Sequence, residues 1–380
     1  MVHWNFAQIP GLEEEKMQLR KLAQQERIPH AQLFLGDYGS ASLALALAFS
    51  RLVLCASPKG EEPCEQCPAC IKSSGWVHPD LHFSFPVIGS KQTSNDFLEP
   101  WRKCLIESPY FNPADWFEIQ DKTIKQGNIN VLECHEIVQK LSYTVVEGRY
   151  KILLLWGVEF LGKEGNRLLK LIEEPPARTL FLFIGADASR ILPTVLSRCQ
   201  LYKIRPFTDE EVCEALIAKS LVSTNEAETL AFQADGNLGE AYRLVENTSK
   251  PMADLFLFWM RSCYAGTDRN TLKRAEELAA LGREDQKTFF HYALHFVRQM
   301  ILAISGNKEK IRLPDQQRTS AIGMAQQFDP DRLEELALLF SNGLRSIERN
   351  ANPKILFLNA SIQVHALFKD KVRYKSLLNG

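Results

Sequence analysis

The chain has 380 residues, 45% of them hydrophobic and 24% charged, the balance of a folded soluble protein of two or three domains. Lys and Arg number 45 against 46 Asp and Glu, a net charge of -1. That excludes a bulk polyanion binder of the histone kind and leaves a local basic face open. No apolar run reaches the roughly 20 residues a membrane span needs. Met1 to Phe6 shows no basic region followed by an apolar stretch, so no secretory signal is expected and the expected compartment is the cytoplasm.

In chain order, Ala31 to Gly36 reads as a short buried strand running into a turn, and Leu43 to Leu54 as an Ala/Leu-rich helix. Asp80 to Val87 alternates apolar residues at Leu81, Phe83, Phe85 and Val87, as a strand does. Ile129 to Leu141 has helical spacing, with Ile129, Leu132, Ile137 and Leu141 as candidate core positions. Lys151 to Trp156 is a nearly continuous apolar run, expected of a strand covered on both faces. Gly165 to Ile172 is helical and stops at Pro175-Pro176. Thr179 to Ile184 is a second buried strand and Leu201 to Ile204 a third, closed by Arg205-Pro206. Strands alternating with helices predict a parallel α/β sheet.

After Pro206 the strand signals stop. Thr208, with Glu211 three residues on, is a helix start. Asp235-Gly236-Asn237 reads as a helix-to-helix turn. From Pro251 to Leu378 the pattern is helical and amphipathic, broken near Gly306-Asn307 and Pro330. Phe256, Phe258, Trp259, Phe289, Phe290, Phe296 and Phe340 are read mostly as core of these helices. Gly60 to Pro63 and Gly89 to Asn95 are expected to be exposed.

Four of the nine cysteines fall within sixteen residues, as Cys55-x8-Cys64-x2-Cys67-x2-Cys70. In a reducing compartment such a cluster is a metal site sooner than a disulfide framework. Zn2+ takes four N or S ligands in a tetrahedron, and a Cys-x-x-Cys turn presents two sulfurs to one ion. Four thiolates leave no position for a reactive water, so the expected Zn2+ is structural, a clip on an inserted loop. The plainer reading is four free cysteines on a loop.

Gly36-Asp37-Tyr38-Gly39-Ser40-Ala41-Ser42-Leu43 lies between a buried strand and an Ala-rich helix, the context of the phosphate loop G-x-x-x-x-G-K-[ST]. The chemistry is missing. The second motif glycine is Ala41, the lysine position is Ser42, and the Mg2+-binding hydroxyl position is Leu43. An ordinary strand-to-helix turn is the competing reading.

At this point the sequence resembles the bacterial DNA polymerase III clamp-loader subunits of the AAA+ class, and within them the delta-prime type most closely. The matching residues run in order: Ile28-Pro29-His30-Ala31, the four cysteines, His78-Pro79-Asp80, Asn166 to Pro176 as N-x-L-L-K-x-x-E-E-P-P, and Leu196-Ser197-Arg198-Cys199. The resemblance is strong over about residues 1–205 and rests on helical content beyond. It implies an AAA+ parallel-sheet domain over 1–206 with a zinc module at about 55–75. A small helical lid over 207–248 and a helical oligomerisation collar over 249–380 follow. The implied fold class is α/β followed by all-α.

Against the family's ATP-hydrolysing tau/gamma type, four contributors to phosphoryl transfer are absent. The loop lysine is Ser42. The acidic pair that binds Mg2+ and polarises water falls on Trp156 and Gly157. The sensor hydroxyl after Phe181-Leu182-Phe183 is replaced around Gly185-Ala186, and the lid arginine position is Gly239. Because phosphoryl transfer is mostly positioning and electrostatic stabilisation, no ATP is expected in this chain's own site and no hydrolysis by it. Arg198 survives. The resemblance implies an arginine finger given in trans to ATP on the neighbouring subunit, with Ser197 supporting the turn; a local salt bridge is the alternative.

The resemblance further implies a ring with tau/gamma and delta subunits that opens the sliding clamp and places it on primed DNA. Competing readings are an active ATPase of the same fold and a zinc-module nucleic-acid binder. The second explains the cysteines but not the Ser197-Arg198-Cys199 segment. Arg149, Lys151, Lys163, Arg167 and Lys170 either track DNA phosphate or form a solvated basic face. His30 is read as a structural hydrogen-bonding residue.

Overall fold

The computed structural model describes residues 4–25, 28–121, 127–246, 252–266, 268–306, 311, 313, 315–349 and 351–369. The chain divides into two compact units, Met1–Ala227 with Ala234–Arg243, and Glu228–Gln233 with Leu244–Gly380.

The first unit is built on a five-stranded sheet in the order β2-β3-β4-β1-β5. The strands are β1 (Ala31–Leu35), β2 (Leu81–Ser84), β3 (Lys151–Trp156), β4 (Thr179–Gly185) and β5 (Gln200–Lys203). Every pairing is parallel, with Leu33 level with Phe183 on one side and Leu201 on the other. A parallel sheet must be covered on both faces, and β3 and β4 are buried along their whole length. Leu153, Leu155, Phe181 and Phe183 point to one face, where Cys134, Ile137, Leu141, Leu161 and Leu168 meet them. The alternate residues face helix Ser42–Leu54, all of whose residues are buried. Each such Leu or Phe contributes roughly 1.5–3 kcal/mol.

The first unit's helices are α1 (Glu13–Gln24), α2 (Ser42–Leu54), α3 (Pro68–Ser74), α4 (Leu98–Glu107), α5 (Pro113–Gln120), α6 (Val131–Ser142), α7 (Leu169–Glu173), α8 (Pro193–Leu196) and α9 (Asp209–Ala218). The expected start of α9 forms as read: Thr208 Oγ1 accepts from Glu211 N, while Glu211 returns a carboxylate to Thr208 N. Helix α10 (Thr224–Ala234) follows, then α11 (Leu238–Glu246) begins within this unit.

Four sequence readings differ from the structure of this unit. The strand expected over Asp80 to Val87 is confined to Leu81–Ser84, because Pro86 has no N–H to give the ladder. The helix expected over Gly165 to Ile172 is a run of 3-10 turns, Val158–Leu168, with only Leu169–Glu173 α-helical. The strand after Arg198 is not buried; β5 is an edge strand with Leu201 41% exposed, and only the following Ile204 enters the core. Leu132, read as core, also faces outward.

The second unit is helical: α12 (Met252–Ala265), α13 (Asp268–Ala279), α14 (Arg283–Ile304), α15 (Asp315–Ala325), α16 (Pro330–Glu348) and α17 (Pro353–Lys369). Its core gathers Phe256, Trp259, Phe289, Phe290, Phe296, Phe340 and Phe357. Phe258 is the exception to the expected set; it is half exposed, beneath the guanidinium groups of Arg261 and Arg274. The break at Pro330 is a helix start, with Asp329 capping Arg332 N. Pro251, Asn307 and residues 370–380 of the expected helical stretch lie outside the described residues.

Candidate functional sites: a four-cysteine centre, a phosphate-loop turn and Arg198

The sulfurs of Cys55, Cys64, Cys67 and Cys70 all lie within 4.8 Å of one another. Cys55 follows the last turn of α2, Cys67 caps α3 and Cys70 sits in its first turn, so two helix ends and the loop between them supply the four thiols. Cys55 to Cys67 is 4.0 Å and Cys64 to Cys70 is 3.9 Å. A tetrahedron with metal–sulfur bonds of ~2.3 Å has sulfur–sulfur edges of ~3.8 Å, so the donor set fits one zinc-sized ion. Backbone N–H groups of Cys64, Cys67 and Cys70 donate to Cys55, Cys64 and Cys67 sulfurs at 3.3–3.4 Å. Such bonds favour thiolate; that from Cys67, behind those of Gln66 and Ser57, helps bring Cys64 down to about 5, while burial pushes Cys55 and Cys70 up. A cation among them would reverse that rise.

The phosphate-loop turn follows β1. Ser42 and Leu43, at the lysine and hydroxyl positions, are buried in the first turn of α2. Gly39 takes φ +81°, and a side chain there would strike Asn237 Oδ1 at 2.3 Å. Gly239 lies against the same turn. Its N–H donates to Gly39 O at 2.9 Å, and a Cβ on it would come within 2.2 Å of Tyr110 O. Asn237 Nδ2 donates to Tyr38 O at 2.7 Å. The start of α11 is therefore hydrogen-bonded to the loop backbone.

Trp156 is 1% exposed at the end of β3. Its ring packs on Tyr38 at 5.1 Å, Phe111 at 5.2 Å and Trp101 at 5.3 Å, so the first position of the expected acidic pair is part of an aromatic core. Gly157 follows with φ +80°. Sequence reading missed Glu159, a buried carboxylate that turns toward β4 and accepts from Ala186 N at 3.2 Å. Burial raises the Tyr38 phenol well above its ordinary value, and Glu159 adds to the rise.

Arg198 is a third exposed, and its donors are engaged within the chain. Nε donates to Glu173 Oε1 at 2.6 Å, and Nη2 pairs with the same oxygen. Nη1 donates to Thr194 O at 2.7 Å and Ser197 Oγ at 3.2 Å. Ser197 Oγ donates to Thr194 O at 3.3 Å, across the same turn. Glu173, read from sequence only as a helix stop, is thus the partner of Arg198.

Lys151 is removed from the DNA-facing candidates: it is 2% exposed, and its ammonium donates to Leu141 O at 2.6 Å and to Tyr143 O. Arg149, Lys163, Arg167 and Lys170 remain at the surface, with Arg167 paired to Glu164 at 2.7 Å. His30 is exposed, and its carbonyl accepts from Phe181 N, a backbone bond that does not depend on the imidazole. Asp80 of the His78-Pro79-Asp80 segment accepts the N–H groups of Val146, Glu147 and Gly148 at 2.7–2.9 Å, tying the loop before β3 to the start of β2.

The sequence model of the family described as DNA polymerase III, delta subunit, matches residues 11–208. The chain is 22% identical to the DNA polymerase III subunit tau of Bacillus subtilis (strain 168), over 94% of this chain and 61% of that protein. It is 28% identical to subunit delta' of the same organism, over 59% of this chain and 56% of that protein. With subunit delta' of Haemophilus influenzae it shares 25% identity over 52% of this chain and 49% of that protein. The chain thus spans about half to three-fifths of the length of these relatives. Among solved structures, a DNA polymerase III gamma-subunit-related protein from Thermotoga maritima aligns at TM-score 0.37 and 14% identity, over 92% of this chain and 99% of that one.

Proposed function

Because the chain belongs to the DNA polymerase III delta-subunit family, matched from residue 11 to residue 208, we propose that it is a clamp-loader subunit of the delta-prime type that hydrolyses no ATP itself. One observation carries the finer part of this reading. Trp156 stands where an ATPase of this class carries its first metal-binding carboxylate, and it is enclosed by Tyr38, Phe111 and Trp101. An aspartate there would be stripped of water by three rings. The buried Ser42 in the lysine position and the Gly239–Gly39 hydrogen bond support the same conclusion.

In this reading the chain works in the cytoplasm beside tau/gamma and delta subunits. The assembled ring opens the sliding clamp and sets it on primed DNA. Arg198, with Ser197 supporting its turn, reaches a neighbour's ATP. Its guanidinium exchanges the Glu173 carboxylate for phosphoryl oxygens, which present the same acceptor chemistry. Zn2+ on the four cysteines is structural. Residues 1–206, 207–248 and 249–380 serve as sheet domain, lid and collar.

A tau/gamma-type ATPase is the second reading, favoured by the alignment to Bacillus subtilis tau over 94% of the chain. ATP turnover by the purified chain separates the two. The proposal expects none above a contamination control. Hydrolysis that follows the chain through successive columns would overturn it.

A further inference from the structure

Arg51, in the last turn of α2, is fully buried. Its Nη1 donates to Trp4 O at 3.1 Å and its Nη2 to Glu65 Oε2 at 2.8 Å. A guanidinium cannot shed its charge in a protein, so burial makes its carboxylate partner expensive to lose. That partner stands inside the metal knuckle. Glu65 lies between Cys64 and Cys67 at φ +60°, in the left-handed region that non-glycine residues adopt uncommonly. Its second oxygen accepts from Asn5 Nδ2 at 3.4 Å. A parallel pair, Arg20 of α1 with Glu62, ties the approach to Cys64 in the same way.

The contacts continue away from the knuckle. Trp4 Nε1 donates to Leu105 O at 2.7 Å, and its ring packs edge-on against Tyr110 at 5.7 Å. The Tyr110 ring meets Phe207 at 6.0 Å and Tyr242 at 6.2 Å, just before α9 and within α11. Lys219 lies over Tyr242 at 4.0 Å and over Trp4 at 6.0 Å. The Tyr110 carbonyl in turn abuts Gly239, whose N–H is bonded to Gly39.

We infer that the four-cysteine centre is a conformational clamp: the metal-wound knuckle presents Glu65 to buried Arg51, and through Trp4 and Tyr110 that pair fixes the start of α11 against the phosphate-loop turn. Emptying the metal site lets the knuckle unwind and Glu65 leave. Arg51 is then a buried cation without its carboxylate, and it relaxes only by pulling on the Trp4 carbonyl. Both ends of the path are packed side chains with few alternative arrangements, so the disturbance is carried along it. The clamp stands whether or not the chain hydrolyses ATP.

The test is hydrogen exchange by mass spectrometry on the full chain, reduced and loaded with Zn2+, before and after chelation, with metal content measured for each sample. Metal loss should speed exchange at least tenfold in residues 4–8 and 238–243, besides 55–75, and leave 151–156 and 179–185 protected. Glu65→Gln with Zn2+ bound should reproduce the distant change without the local one. Arg51→Met combined with Glu65→Gln removes the buried charge together with its partner, and should cut the distant response to chelation below twofold. Cys67→Ser gives an independent route to the metal-free state should a variant at 51 or 65 fail to fold. Unchanged exchange at 4–8 and 238–243 after chelation or in Cys67→Ser, a full distant response in the double variant, or a reduced preparation that binds no Zn2+ would each overturn the clamp.

Discussion

At the scale of single residues, the two side chains that matter most to the proposed function are read in opposite ways by sequence and by packing. Trp156 is visible in the sequence only as the absence of an acid; its packing shows why an acid would fail there. Trp156→Asp removes a buried ring and inserts a charge among three others, so it should destabilise the first unit by at least about 3 kcal/mol. Urea unfolding measures it, and a loss under about 1 kcal/mol would mean the site admits a carboxylate and water. Arg198 was legible as a retained cation, but its partner Glu173 was not, since ion pairs across 25 residues leave no trace in local spacing. Both members are at least a third exposed, which limits the pair to about 1 kcal/mol. In a reconstituted complex Glu173→Gln should therefore lower the apparent KM for ATP by no more than about fivefold with kcat unchanged. A fall in kcat would show that Glu173 positions the arginine instead of competing for it.

At the scale of elements, what the sequence disclosed depended on periodicity and what it hid depended on neighbours. The runs in β3 and β4 are unbroken because both faces are covered, and they were legible. Leu201 to Ile204 reads as a third buried strand, yet β5, with Gln200 and Lys203 at its ends, is an edge, and edge position is a property of the sheet order. The four-cysteine spacing announced the four-thiol cluster, whereas nothing in the local spacing pairs Arg51 with Glu65. Replacing Cys67 by Ser should drop bound Zn2+ from about one equivalent to well under half, by metal analysis, with the sheet still folded; retention of a full equivalent would remove Cys67 from the ligand set. Strand β2 adds a pH response. Burial first, then the nearby Lys140 and Lys151, pulls His82 down to about 4. An unfolded histidine titrates near 6.5, so below that pH protons favour the unfolded chain. The stability owed to neutral His82 is complete above about 6.5 and is lost as pH falls toward 4, about 2 kcal/mol of it between pH 7 and 5. Asp80 responds lower. Burial would raise its carboxyl, but the N–H groups of Val146, Glu147 and Gly148 together hold it below its ordinary value, so its contribution is lost only in stronger acid. His82→Gln should flatten the urea midpoint between pH 7 and 5; an unchanged slope would assign that slope to other groups.

At the scale of the whole molecule, the order of a parallel sheet followed by helices was readable from Ala31 to Ile204 and from Pro251 onward, because strand and helix periods differ. The contact of Asn237 and Gly239 with the phosphate-loop turn was not, since it joins residues 199 and 200 positions apart that have no shared pattern. Among the described residues no helix is long and apolar enough to cross a membrane. The account's central claim is that this chain hydrolyses no ATP and lends Arg198 to a site that does. It is tested most directly by assembling wild-type and Arg198→Ala chains with tau/gamma and delta subunits and measuring clamp- and DNA-stimulated ATP turnover on complexes matched by size exclusion. Arginine fingers are worth about 10^3–10^5 in rate at their own site. The account predicts an intact mutant complex whose turnover falls by the share of the one adjacent site, with Arg198→Lys restoring little of it. Full turnover from a fully assembled Arg198→Ala complex would contradict it and leave Arg198 as the partner of Glu173 alone.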